Sequence, residues 1–451
     1  MKPANTQTRR SFLKTAATAL SVPYFVPASA LGKDGNVAPS NRITMGAIGL
    51  GGRGMPVMRD FLKRPEVQMV AVCDVQTVHW RDNPWGVGKP RYGTAVGQQA
   101  VEERYGQGKA SKYKGCEVYG DYRNLCARQD IDAVIVGTPD HWHALQCLEA
   151  LRSGKDVYCE KPMTHLFREG QIVYREAAKQ QAIFQVGSQQ RSYWNFQQAV
   201  EIVRNGLIGK VKRVEVGIGA GPNAARGPEE VTEPPANLDY NSWCGPSEKH
   251  PYIAGRHHRH WRWHLSYGGG NLMDWIGHHN DIAHWGLNLD KSGPISVEAR
   301  NWTWPTETKI YNSPVEFDVI SKYAGGTEII MSSKLTGGTK WIGEDGWVWV
   351  NRGKLEASNK DWAKKGFVAG KFKAYKSSDH TQNFLDGIKS RKPCTCTAET
   401  GHRSITPGHL AHISAQVGRK LNWDPKQEII KGDASATNLL NIDYRYPWEL
   451  A

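Results

Sequence analysis

Two groups of residues have the types and spacing needed for chemistry. The first is the run Gly49-Leu50-Gly51-Gly52-Arg53-Gly54, a G-x-G-x-x-G pattern. Its first glycine allows a tight turn, its second lets backbone approach a pyrophosphate, and its third lets a helix meet a strand. About twenty residues beyond Gly54 stands Asp74, closing the apolar run Val67–Cys73. A carboxylate at that spacing accepts from ribose hydroxyls and repels a 2′-phosphate, so NAD is expected and NADP is less so. The second group is Asp274 and His278, four residues apart and therefore on one face of a helix. Histidine titrates near neutrality and suits the movement of a hydroxyl proton. A neighbouring Asp can fix its tautomer and stabilise the imidazolium. The competing reading of such a histidine is a satisfied core residue.

His257, His258, His260, His264 and His279 crowd the same stretch. With Asp274 they offer a metal set, but their spacing matches no standard zinc motif, and no metal is expected. Residues 256–264 could equally grip a carboxylate or phosphate, or line a cleft. Of the 17 Trp, 13 lie after residue 200, Trp261 and Trp263 among them. Flat sugar faces stack on such rings, although each one alone reads as core or interface.

The elements that must position these groups are legible. Ile43–Ile48 is a short strand leading into the glycine run, and residues 55–63 form a helix. Val67–Cys73, 132–136 and Asp156–Cys159 are further strands, with a helix over 141–153 between the last two. Alternating strands and helices of this length imply a parallel, doubly wound sheet. Ligands bind beyond the carboxyl ends of such strands, where Thr138-Pro139 and Glu160-Lys161-Pro162 fall. Further on, Gln189, Arg191 and Tyr193 follow a strand-like run and face the cleft. Residues 341–350 read as one alternating strand, 380–389 and 407–421 as amphipathic helices, and 221–235 as an exposed loop near the cleft.

With these pieces in place, the chain resembles the Gfo/Idh/MocA oxidoreductases, the glucose–fructose oxidoreductase and inositol dehydrogenase relatives. The resemblance rests on Gly49 to Gly54, Thr138-Pro139-Asp140 with His143, and Gly154-Lys155-Asp156-Val157. It continues through Glu160-Lys161-Pro162, Asn205-Gly206-Leu207-Ile208-Gly209-Lys210-Val211, and Gly268 to Asp274 with Gly277-His278 and Asp281. It implies an α/β chain: an N-terminal Rossmann dinucleotide-binding domain over 41–165 and a C-terminal α/β domain over 166–451. The second domain would carry an open, mostly antiparallel sheet, with late helices packing back on the Rossmann side. Implied cofactor contacts are Gly49, Gly51, Gly52, Arg53, Gly54 and Asp74, then Thr138, Pro139, His143, Glu160 and Lys161. Lys161, Asp274 and His278 are the implied catalytic set, with Lys161 stabilising alkoxide charge. Arg191, Tyr193, Trp261 and Trp263 join Asp274 and His278 as substrate contacts. Asp281, one turn on, is supporting.

Residues 1–30 read as an address rather than as fold. Thr8-Arg9-Arg10-Ser11-Phe12-Leu13-Lys14 is a twin-arginine pattern, a mildly apolar stretch follows, and Ala28-Ser29-Ala30 suits cleavage. Export to a periplasm is expected. The formal charge of +14 falls to about +10 without that segment, and its Lys and Arg are spread among acids. Nucleic acid is therefore not an expected partner. At 39% hydrophobic and 23% charged, the 451 residues are ordinary globular chain, and no apolar run is long enough to cross a bilayer. Cys73 and Cys159 read as small buried hydrophobes, structural zinc is not expected, and disulfides stay open.

The expected function is an exported oxidoreductase acting on a hydroxyl of a sugar, polyol or glycoside, with NAD recycled in place. It is expected to be a homo-oligomer, dimer or tetramer. The second reading is redox-neutral glycoside hydrolysis by oxidation, elimination, hydration and reduction. The third is a non-catalytic sugar- or NAD-binding protein, against which the intact Lys161, Asp274 and His278 speak.

Overall fold

The computed structural model describes residues 41–80, 90–106, 115–441 and 443–450. The twin-arginine segment lies outside the described residues. From Ile43 onward the chain forms one unit built on two large sheets, with a small two-stranded pair, His79–Trp80 and Arg91–Tyr92, beside them.

The first sheet is wholly parallel. Its strands run, side by side, Glu117–Tyr119, Val67–Cys73, Ile43–Ile48, Ala133–Val136, Asp156–Cys159 and Phe184–Val186. Strands buried on both faces read as continuous apolar runs, as Ala133–Val136 does, because helices cover both sides. The sixth strand lies past residue 165, so the parallel unit extends beyond the boundary read from sequence. The reason is local: Phe167–Lys179 is the crossover helix that carries the chain back to that strand.

The second sheet has nine strands. Its order is Lys354–Ala357, Trp347–Asn351, Gly338–Gly343, Val211–Gly217, Glu328–Ser332, Asp318–Lys322, Ser296–Arg300, Leu421–Asp424 and Ile429–Ile430. Every neighbouring pair is antiparallel except Val211–Gly217 with Glu328–Ser332. Residues 341–350 therefore form two strands of a hairpin and not one. Glu344-Asp345-Gly346 is turn chemistry, and the Gly343 amide donates to the Gly346 carbonyl at 2.9 Å.

One face of this sheet packs Trp341, Val348, Ile329 and Val319 against the helices Gly270–Gly286 and Ala398–Val417. Side chains of this size each contribute about 1.5–3 kcal/mol when fully buried. The longer helix starts nine residues before the expected 407, because Thr397 caps it by accepting from the Thr400 amide. His380–Ser390 packs Phe384 and Leu385 onto Phe61 and Tyr158 of the parallel unit. All eight cysteines are buried and free. No described helix is long and apolar enough to cross a membrane.

Candidate active site

The glycine run turns out of strand Ile43–Ile48 and opens the helix Gly54–Leu62. Gly49 has φ +83°, a conformation that side chains rarely adopt. A Cβ on Gly54 would lie 1.8 Å from the Gly49 carbonyl oxygen, so only glycine fits there. Gly49, Gly51, Gly52 and Arg53 line a cavity of about 670 Å³. Free amides at the helix start face an anion-binding position. Asp74 lines the same cavity, with its Oδ2 accepting from the Leu50 amide at 2.7 Å and its Oδ1 from the Gln76 amide at 3.0 Å. Each oxygen keeps a further lone pair for a ribose hydroxyl.

Thr138 and Pro139 line the opposite wall, where Pro139 starts the helix Asp140–Arg152. Glu160 Oε1 accepts from Arg53 Nε at 3.0 Å and Gln189 Nε2 at 2.9 Å, while its buried Oε2 has no partner. The glutamate in turn raises the Arg53 pKa. His143 lines the same cavity. Its Nδ1 faces the Pro162 carbonyl at 2.8 Å and its Nε2 the Thr138 carbonyl at 3.0 Å. Burial keeps the ring neutral, so its single N–H donates to one of these two carbonyls.

The reacting groups share this cavity. Lys161 Nζ donates to Asp274 Oδ1 at 2.9 Å and also to the Asp274 carbonyl. Arg262 Nε donates to the same Oδ1 at 3.0 Å. Burial alone would raise the Asp274 pKa, but Lys161 and Arg262 together hold the carboxylate well below its usual range. His278 projects from the same helix one turn on, and its ring lines the cavity without a hydrogen-bond partner among the described residues. Burial, then the charges of Lys161 and Arg352, push its pKa well down, so the ring is neutral and free to accept a proton. Gly277 lets the helix come close: a Cβ there would stand 3.1 Å from the Lys161 Cβ.

This geometry corrects two sequence expectations. Asp274 does not orient His278; its carboxylate is spent on Lys161 and Arg262. Arg191 does not face the cleft. It is 0% exposed, holding Asp281 through Nε at 2.7 Å and Nη2 at 2.9 Å, and Asp290 through Nη1 at 3.0 Å and Nη2 at 2.8 Å. The 3₁₀ turn Gln189–Ser192 is the cause: it sends 190–192 inward and leaves Gln189 and Tyr193 on the cavity wall. Trp261 and Trp263 do line the cavity. The histidines of 257–264 disperse. His257 Nδ1 faces the Ile253 carbonyl, His264 packs edge-on to His250, and His258 stacks on His79 at 3.9 Å. Among the described residues no three His, Cys, Asp or Glu side chains converge on one point.

Sequence reasoning gave no role to Asp140, Arg226 or Arg352, all of which line the cavity. Asp140 is almost fully buried, and burial pushes its carboxyl up to about 8 against the opposing charge of Arg262. Its signal was available, an acid directly after Thr138-Pro139. Arg226 lies on the loop 221–235 that was expected near the cleft, though the residue itself was not singled out, and Arg352 carries no signal, since it sits in a hairpin turn that only the fold brings there.

Residues 193–450 match the description "Oxidoreductase family, C-terminal alpha/beta domain", and residues 97–188 match "Oxidoreductase family, NAD-binding Rossmann fold". The chain belongs to the Gfo/Idh/MocA oxidoreductase family. Within that family it is similar to an inositol 2-dehydrogenase of Rhodococcus jostii, with 37% identity over 23% of this chain and 28% of that protein. It is also similar to a glycosyl hydrolase family 109 protein of Shewanella baltica, with 30% identity over 34% of this chain and 33% of that one. The matched stretches thus span about a third of these curated relatives. Among solved structures, the WlbA dehydrogenase of Chromobacterium violaceum, in complex with NADH and UDP-GlcNAcA, has a TM-score of 0.60 at 18% identity. That likeness covers 86% of this chain and 98% of that one, and it concerns the fold. For a Gfo/Idh/MocA protein the donor set here fits NAD: a glycine cradle that a Cβ would fill, Asp74 on the ribose side, and an unpartnered Glu160 oxygen in the cavity.

Proposed function

We propose that this protein is an exported NAD-dependent oxidoreductase acting on a hydroxyl of a sugar, polyol or glycoside. The observation that carries the reading is the placement of His278 and the Lys161–Asp274 pair on the same cavity as the glycine cradle. Gly49 to Gly54, Asp74 and Glu160 would hold the dinucleotide, whose nicotinamide supplies hydride acceptance and return. Neutral His278 takes the hydroxyl proton. Lys161, fixed by Asp274, keeps its ammonium at the wall where alkoxide charge develops, and a preorganised donor of this kind is worth roughly 10²–10³ in rate. Trp261 and Trp263, each with a guanidinium over its ring, shape the wall on the substrate side.

The twin-arginine pattern supports export to a periplasm, where no soluble NAD pool is evident and cofactor must be recycled in place. Half-buried Trp347 and Trp349 on the open face of the nine-stranded sheet support assembly into a dimer or tetramer. Redox-neutral glycoside hydrolysis is the second reading. It is favoured by the likeness to the family 109 protein and by Asp140, which holds a proton at neutral pH beside the reacting groups.

One experiment separates these. The purified mature protein is examined for nicotinamide absorbance and then offered sugars and glycosides. Net ketone or polyol formation supports oxidoreduction, and released aglycone without net redox supports hydrolysis. Ligand binding without turnover, unchanged in His278→Ala, would sink both enzyme readings and leave a binding protein.

A further inference from the structure

The substrate side of the cavity is richer in cations than its acids can neutralise. Lys161 and Arg262 share one carboxylate, that of Asp274. Asp140, the other acid on that wall, lies deep and carries a proton at neutral pH. Arg226 and Arg352 have no carboxylate within ion-pair distance among the described residues, yet both line the cavity at its exposed rim.

Each is held against an indole. The Arg226 guanidinium carbon lies 4.6 Å from the centre of the Trp263 ring, and that of Arg352 lies 5.1 Å from Trp275. The indoles are themselves fixed. Trp263 is buried and donates to Asn271 Oδ1 at 3.3 Å, and Trp275 stacks on His279. Asn271 and Trp275 both belong to the helix Gly270–Gly286 that carries Asp274 and His278. The two guanidiniums are therefore set along the reacting helix, one at its first turn and one a turn later. A ring face restrains a guanidinium and leaves its N–H edges outward, where they match a carboxylate or phosphate. The dinucleotide's own pyrophosphate is accounted for at the start of helix Gly54–Leu62.

We propose that the substrate carries an anionic group, a carboxylate or a phosphate, gripped by Arg226 and Arg352 while its hydroxyl meets His278 and Lys161. This rests on the oxidoreductase reading above and names its substrate class: acidic sugars, such as uronates or sugar phosphates.

The test uses the NAD-loaded protein and a matched panel: glucuronate, galacturonate and glucose 6-phosphate against glucose, galactose and the uronate methyl esters. Binding is read by tryptophan fluorescence and hydride transfer by absorbance at the reduced-cofactor band. One acid class is expected to bind at least tenfold tighter than its uncharged counterparts, and the carboxylate and phosphate arms show which. That preference should shrink with added NaCl in the unaltered protein. Arg226→Gln and Arg352→Gln should each reduce it tenfold or more with bound NAD content unchanged. Uncharged sugars binding as well as the acids, or variants that keep the preference, would overturn the proposal. So would variants that lose NAD, because the guanidiniums would then serve the cofactor. If uncharged sugars alone reduce the cofactor, this inference falls and the oxidoreductase reading stands. If acids bind in an arginine-dependent way but no sugar of either kind changes the cofactor, the redox reading falls and the anion grip stands.

Discussion

Arg191→Met separates a structural from a ligand-binding role for this arginine. The guanidinium is fully buried and makes bidentate contact with both Asp281 and Asp290. Asp281 is itself 0% exposed, and burial pushes its pKa up against the opposing pull of Arg191. Removing the cation leaves that carboxylate uncompensated in the interior, which costs about 3–5 kcal/mol. For a unit of roughly 400 residues unfolding as a whole, this lowers the melting temperature by about 4–6 °C. Calorimetry at pH 7 measures the shift. The double variant Arg191→Met with Asp281→Asn should recover part of the loss, because no buried charge is then stranded at that position. An unchanged melting temperature with a raised KM for sugar would refute the argument and return Arg191 to the cleft.

Four further outcomes are expected. Gly54→Ala forces its Cβ onto the Gly49 carbonyl and should lower both the melting temperature and the bound NAD. Gly51→Ala meets nothing closer than His79 at 4.0 Å, so it should keep its melting temperature and lose affinity only for the dinucleotide, read by fluorescence titration. Asp74→Ala removes the acceptor for the Leu50 and Gln76 amides and should weaken NAD about tenfold or more; unchanged affinity would mean the ribose assignment is wrong. The Asp140 carboxyl has a folded pKa near 8, above its ordinary value, so its contribution to stability is present below about pH 4 and is lost as pH rises towards 8. Asp140→Asn should flatten the fall in melting temperature between about pH 4 and 8, and parallel curves for the two proteins would count against that pKa.

Much of the parallel unit was legible because its signals are local. Strand Ile43–Ile48, the glycine run and Val67–Cys73 sit where the apolar runs and the turn residues place them, and Asp74 reaches the cavity as its spacing implied. Lys161, Asp274 and His278 also converge, although the division of labour among them was misread. An i, i+4 spacing says that Asp274 and His278 share a helix face, but not that Lys161 and Arg262 will claim the carboxylate from other elements. Arg191 failed for the same reason. Its partners Asp281 and Asp290 lie about a hundred residues away, and nothing near position 191 announces them. Residues 341–350 were read by alternation alone, which is equally satisfied by one long strand or by two strands across a turn. Arg226 and Arg352 are single cations on polar loops, and their nearness to one helix is a property of the tertiary structure alone.

The helix Gly270–Gly286 is fastened to the parallel unit at three successive turns. Asp274 takes Lys161, the Gly277 carbonyl takes the Ser188 hydroxyl at 2.8 Å, and Asp281 takes Arg191. A hinge that swung this helix away would have to break a buried ion pair, a buried hydrogen bond and the Lys161 contact together. Traffic in and out of the cavity must therefore pass without opening that seam. The loop 221–235, which carries Arg226 to the cavity rim, is not fastened in this way. Rates of product release should therefore respond to substitutions in 221–235 far more than to any along the seam.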